Sequence, residues 1–241
     1  MLLKLYYPLQ QWLLKRADVI VGTSPVYLAE SPFLQHVQHK TVCLPIGVEP
    51  MQPVPEAVKA LRSEYPGKKI VFSLGRLVAY KGYRFLVEAA KYLKDDFVVL
   101  IGGSGALKEE LQKEIVSLNL QEKVKLLGRV SDEELPAYYG ACDVFCMSSV
   151  FGIVQIEAMS CGKPLVATRI PHSGVSWVNE EGVSGMNAEP GNAQDLARAI
   201  EAVTENEEVY RKFSEGATKR YRDMFTKECM IDKCLTIYLE L

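Results

Sequence analysis

From residue 56 onward the apolar residues gather into short, mostly continuous runs, at 69–74, 97–101, 124–127, 143–147 and 164–167. Between them lie longer stretches with helical spacing, at 56–65, 82–94, 106–118, 131–140 and 152–161. A strand that is apolar on both faces belongs in a sheet covered on both sides. Strands alternating with helices make that sheet parallel. The pattern therefore predicts an α/β fold with helices on both faces of a parallel sheet. In such folds ligands bind beyond the carboxyl ends of the strands, so the loops after residues 74, 101, 127, 147 and 167 are where chemistry is to be sought.

The first 49 residues follow another rhythm. A strand over 17–22, a helix opened by Ser24-Pro25 and a strand over 40–47 make a unit too small for a domain, which reads as the tail of one. Pro50, Pro53 and Pro55 mark the linker after it. The N-terminal stretch is interrupted by Lys4, Pro8, Gln10 and Gln11. It lacks a signal-peptide core and falls well short of the ~20 apolar residues that span a bilayer. It reads either as a basic amphipathic helix making peripheral contact with a membrane surface or as a helix packed on a neighbouring domain. At the other end Met230, Ile231, Cys234, Leu235, Tyr238 and Leu239 form a stripe at helical spacing.

Composition adds exclusions. A net charge of −2 gives no global attraction to a phosphate backbone, so nucleic acid is not an expected partner and anion binding must be local. The six cysteines (43, 142, 146, 161, 229 and 234) and three histidines (36, 39 and 172) form no metal-ligand set, and a chain of 241 residues needs no disulfide framework. Buried thiols in a reducing, cytoplasmic compartment are expected.

Four strand-end loops carry the candidate chemistry. Gly75-Arg76 and Lys81-Gly82 place a bidentate guanidinium and an ammonium between a strand and a helix start, either to hold a diphosphate without a metal or as a solvated basic turn. Gly102-Gly103-Ser104-Gly105 permits close approach, by a ligand or by neighbouring backbone. Gly128-Arg129-Val130 could edge a flat base, and Ser131 with Glu134 forms a capping box. In the fourth loop the helix 152–161 is apolar nearly all round, with Glu157 its single acid. A buried carboxylate needs donors, from the two hydroxyls of a ribose or from a nearby Arg or Lys.

Taken in order, Gly75-Arg76, Lys81-Gly82, Gly128-Arg129-Val130 and Phe151-Gly152-Ile153-Val154-Gln155-Ile156-Glu157-Ala158-Met159 resemble the retaining GT-B glycosyltransferases, the large family of sucrose synthases and bacterial polysaccharide mannosyltransferases. The resemblance runs from about residue 12 to the end. It implies a nucleotide diphosphate sugar as donor substrate, a glycan or lipid-linked acceptor, retained configuration and no metal or other cofactor. It implies that Arg76 and Lys81 act catalytically on the leaving diphosphate. Gly75 lies beside them, backbone near Arg129 and Val130 meets the base, Glu157 binds the ribose, and the backbone of Phe151, Gly152 and Ile153 lies along the phosphates and sugar. It also implies the domain division: 1–49 as a remnant of an N-terminal acceptor domain, 50–225 as a Rossmann-like donor domain, and 226–241 as a helix returning to the first domain. The exposed stripe would then seek that missing domain or an oligomer partner.

One position departs from the family pattern. Eight residues before Glu157, where relatives carry a second glutamate, stands Ser149, in a loop that is shorter than usual. A hydroxyl cannot supply negative charge to a developing oxocarbenium ion. Two expectations follow: a glycosyltransferase donor domain, or a truncated, inactive nucleotide-sugar-binding module that works with a separate acceptor domain. A dinucleotide oxidoreductase is disfavoured, because no G-x-G-x-x-G follows the first strand of the regular alternation.

Overall fold

The computed structural model describes residues 2–148, 152–171 and 173–241, with side chains from Tyr6 onward. Helix α1 (Leu2–Arg16) leads into β1 (Ile20–Gly22), α2 (Pro25–Glu30) and β2 (Thr41–Cys43), and the two strands pair in parallel as a sheet of their own. The regular alternation follows: α3 (Pro55–Ser63), β3 (Lys69–Leu74), α4 (Tyr83–Ala89), β4 (Phe97–Gly102), α5 (Lys108–Ser117), β5 (Val124–Gly128), α6 (Leu135–Ala141), β6 (Val144–Met147), α7 (Val154–Ser160), β7 (Leu165–Thr168), α8 (Val175–Val178), β8 (Gly185–Ala188), α9 (Ala193–Val203) and α10 (Glu207–Arg220). A π turn (Tyr221–Phe225) joins α10 to α11 (Lys227–Leu239).

Strands β3 to β8 form one parallel sheet in the order β5-β4-β3-β6-β7-β8. The order reverses between β3 and β6, so the crevice opens above the carboxyl ends of those two strands. Side chains alternate between the faces. Val71, Val99, Val144 and Val166 pack with Leu86 of α4, Leu111 of α5 and Ile200 of α9. Ile70, Phe72, Val98 and Phe145 pack with Tyr139 of α6, Ile156 of α7 and Ala217 of α10. Both faces are covered, which is why these strands read as mostly continuous apolar runs.

Several element bounds differ from expectation, each for a local reason. The Ser131–Glu134 box forms both reciprocal bonds (Ser131 N–H to Glu134 Oε2, 2.9 Å; Glu134 N–H to Ser131 Oγ, 3.3 Å), but it closes a turn, and α6 starts only at Leu135. Pro136 has no N–H and is tolerated only in a first turn, which sets that start. The strand expected over 40–47 ends at Cys43, ahead of Pro45, and the one expected over 17–22 begins at Ile20. The helix expected over 82–94 keeps α-helical form only through Ala89. Strand β8 was not expected. Its polar Asn187 is buried because Asn179 answers it, donating to Asn187 Oδ1 (3.1 Å) and accepting from Asn187 Nδ2 at its carbonyl (3.0 Å).

The first unit and the last helix are bound together. Val48 N–H donates to Phe225 O (2.9 Å), Tyr221 Oη donates to Val48 O (2.8 Å), and Lys227 pairs with Glu49 (2.7 Å). A Cβ on Gly47 would lie 2.4 Å from Thr226 O, so only glycine allows this approach. Tyr6, Leu9, Trp12 and Leu13 on α1 and Ile231, Leu235 and Tyr238 on α11 are exposed. Among the described residues no helix is long and apolar enough to cross a membrane.

Candidate functional site

The strand-end loops brace one another before any ligand is considered. Gly75 N–H donates to Gly102 O (3.1 Å), Leu77 N–H to Ser104 O (2.9 Å), Leu107 N–H to Leu77 O (3.0 Å) and Gly103 N–H to Gly128 O (2.6 Å). Gly103 sits at φ +133°, and a Cβ there would lie 1.9 Å from Gly75 O. The glycines of 102–105 are thus explained by close approach to the loop after β3, without a ligand. Val130 reaches the same place: its Cγ2 would be 2.9 Å from a Cβ on Gly102.

The two cations ride on this platform. Residues Ala79–Lys81 form one 3-10 turn that ends in left-handed Gly82 (φ +67°). A Cβ on Gly82 would meet Ser148 O at 2.4 Å, and Ser148 Oγ donates to Lys81 O (3.1 Å), so the turn is seated on the end of β6. Lys81 Nζ lies 3.7 Å from the Cβ position of Gly152, and its Cε 4.0 Å from that of Gly75. The ammonium stands in the crevice between the loop after β3 and the turn into α7. Burial pushes its pKa below the ordinary lysine value; the Tyr80 phenol opposes that shift and the Arg76 charge adds to it. Arg76 is exposed, and its Nη2 donates to Tyr80 Oη (2.7 Å). Among the described residues no carboxylate pairs with either cation. Two neighbouring positive charges without a counter-charge among the described residues have the chemistry to receive an anion.

Across the crevice, α7 buries Gln155, Ile156, Ala158 and Met159 and leaves Ile153 exposed at its start. Glu157 is half-buried and receives a hydrogen bond from Tyr139 Oη at Oε2 (2.6 Å). No cation pairs with it among the described residues, so the ion-pair alternative is not realised. Burial raises its pKa; the Tyr139 bond opposes that shift, and Asp132, in the loop after β5, adds to it. A carboxyl whose folded pKa is raised contributes most stability when protonated and loses that contribution as pH rises through the folded pKa. At neutral pH an ionised Glu157 therefore costs stability. Glu157→Gln is expected to raise the thermal midpoint at neutral pH and to lose that advantage in acid; an equal or lower midpoint at neutral pH would show that the carboxylate is structural.

Of the expected site residues, the structure brings Gly75, Arg76, Lys81 and Gly152 together at the crevice, with the Lys81 side chain between Gly75 and Gly152. Glu157 lies about 6 Å along α7 from Ile153, four residues at the helical rise. Val130 lies on the same rim, and Arg129 is exposed beside it. Phe151, with Ser149, lies outside the described residues. Sequence reasoning missed Tyr139, the partner of Glu157; a tyrosine on an apolar helix face gives no signal that separates it from ordinary core.

Comparison with known proteins follows the same outline. The model of the family "Glycosyl transferases group 1" matches residues 56–220. "O-antigen chain mannosyltransferase C" of Escherichia coli is 32% identical across the whole of this chain, and D-rhamnosyltransferase WbpZ of Pseudomonas aeruginosa is 30% identical across 93% of it. The chain spans 65% and 60% of those relatives' own lengths. Among solved structures, sucrose-phosphate synthase of Thermosynechococcus elongatus superposes with a TM-score of 0.84 at 25% identity, covering 98% of this chain and 61% of that one. Anabaena HepE, solved with UDP and glucose, gives 0.84 at 24% identity over 98% of this chain and 67% of its own, which speaks to fold alone.

Proposed function

We propose, from the premise that this chain belongs to the group 1 glycosyl transferases of the GT-B fold, that it supplies the donor half of an enzyme moving a sugar from a nucleotide diphosphate sugar to a glycan or lipid-linked acceptor. The observation that carries this reading is Lys81, held without a carboxylate partner between Gly75 and Gly152, with Glu157 a short way along α7. That spacing suits a diphosphate at one end and its ribose at the other. Arg76 and Lys81 act catalytically by meeting the charge that grows on the diphosphate as the glycosidic bond breaks, and preorganised donors are most effective there. Gly75, Gly152 and Ile153 line the phosphates and sugar, and backbone near Arg129 and Val130 edges the base. The E. coli and Pseudomonas relatives are named for sugar transfer, and HepE was solved with UDP, which supports a uridine diphosphate sugar as the first probe. Retention of configuration rests on the resemblance.

Residues 50–225 are assigned to donor binding, with 1–49 and 226–241 belonging to an acceptor-binding half. The separate β1–β2 sheet and the contacts of Val48 and Glu49 with the end of the chain support that division. Calorimetry with UDP- and GDP-sugars is expected to give saturable binding to the chain. Absence of binding by both nucleotides would overturn the reading. A radiolabelled-sugar transfer assay, run alone and with a supplied acceptor domain, separates a self-sufficient transferase from a donor-binding module.

A further inference from the structure

Tyr139 is fully buried on α6, with its ring edge-on to Phe72 (5.5 Å between centroids) and tilted on Phe145 (5.7 Å). Phe72 and Phe145 come from the adjacent strands β3 and β6, the pair that flanks the crevice. A ring packed this way has a fixed direction, so its hydroxyl is a fixed donor. That hydroxyl is spent on Glu157 Oε2 at 2.6 Å, and Oε1 has no hydrogen-bond partner among the described residues.

We propose that Tyr139 is a positioning residue for the sugar of the nucleotide: by anchoring one oxygen of Glu157 to the sheet core, it presents the carboxylate to a ribose and makes the site prefer ribonucleotides to 2′-deoxyribonucleotides. The inference rests on the reading of Glu157 as the ribose acceptor. A carboxylate free to rotate would lose ordering entropy on meeting two vicinal hydroxyls; one already tethered does not. The phenol also opposes the upward shift that burial imposes on the acid, which favours its ionised, hydrogen-bond-accepting form.

The test is calorimetry on the full chain with UDP, GDP and their 2′-deoxy forms, comparing wild type, Tyr139→Phe and Glu157→Gln. Phenylalanine keeps the ring and its packing. Tyr139→Phe is expected to lower affinity for the better-bound ribonucleotide roughly tenfold while leaving its deoxy form unchanged. Loss of ribonucleotide affinity on acidification should also begin at a higher pH than in wild type. Equal losses for both sugars would mark loosened packing and overturn the proposal. If Glu157→Gln abolishes the ribose preference while Tyr139→Phe retains it, the proposal for Tyr139 fails and the ribose reading of Glu157 stands. If Glu157→Gln retains the preference, both fall. Should Tyr139→Phe not fold, 3-fluorotyrosine placed at 139 strengthens the donor within the same ring packing. It should move the acid loss to lower pH, and an unmoved onset overturns the proposal.

Discussion

Lys81→Ala is expected to weaken binding of a UDP- or GDP-sugar by about a hundredfold, the scale seen when one partner of a desolvated charge pair is truncated. The ammonium is half-buried, and no carboxylate competes for it among the described residues, so its charge is available to a diphosphate. Alanine removes the charge and leaves the Gly75 and Gly152 backbones in place, so the fold should melt as before. The pH dependence supplies an internal check. Lysine binds the anion in its protonated form, and burial lowers its pKa in the free protein. Affinity should therefore fall as pH rises, starting below the range of an exposed lysine, and Lys81→Ala should lack that limb of the profile. Calorimetric titration across pH reads both effects. Undiminished affinity in the variant would place the diphosphate elsewhere.

Gly103→Ala is expected to strike both stability and binding. Its φ of +133° disfavours any L side chain, and the added methyl would lie 1.9 Å from Gly75 O, a backbone atom that cannot swing away. Strain of both kinds points to a loss of about 3 kcal/mol or more, or roughly 10 °C in thermal midpoint for a chain of this size. Relief requires the loop after β3 to withdraw, and that loop carries Arg76, so nucleotide affinity should fall in whatever fraction remains folded. Gly67→Ala is the control. It also sits at positive φ, in the milder left-handed region (φ +72°), with nothing within 4 Å of its Cβ position, and it lies at the opposite end of β3 from the crevice. Its midpoint should fall less and its affinity not at all. Equal behaviour of the two variants would show that backbone conformation, not the brace between loops, sets the cost.

The sheet was legible because burial on both faces writes itself as mostly continuous apolar runs, as in β4, where every residue is buried. Strand β8 escaped because one of its few residues is Asn187, made tolerable only by an asparagine that lies eight positions earlier in the chain and directly alongside it in space. Such pairing is invisible to periodicity. In the site, Arg76, Lys81 and Glu157 stood out as charges where apolar or turn residues would suffice. Gly128-Arg129-Val130 was legible as a turn that could edge a flat ring, and the structure leaves the Arg129 side chain exposed there. The glycines after β4 look identical whether they admit a phosphate or another loop; Gly75 O, 1.9 Å from a would-be Cβ on Gly103, decides that here. Tyr139 was silent because its ring belongs to the core and only one atom faces the chemistry.

The contacts of Val48 and Glu49 with residues 221–227 join points more than 170 positions apart. Closing so long a loop costs more chain entropy than any closure within the main sheet, the longest of which joins Val71 of β3 to Val144 of β6. The sheet can therefore assemble early, with this clasp snapping shut last. A chain still emerging during synthesis would carry a formed crevice before its final helix arrives to lock the first unit against it.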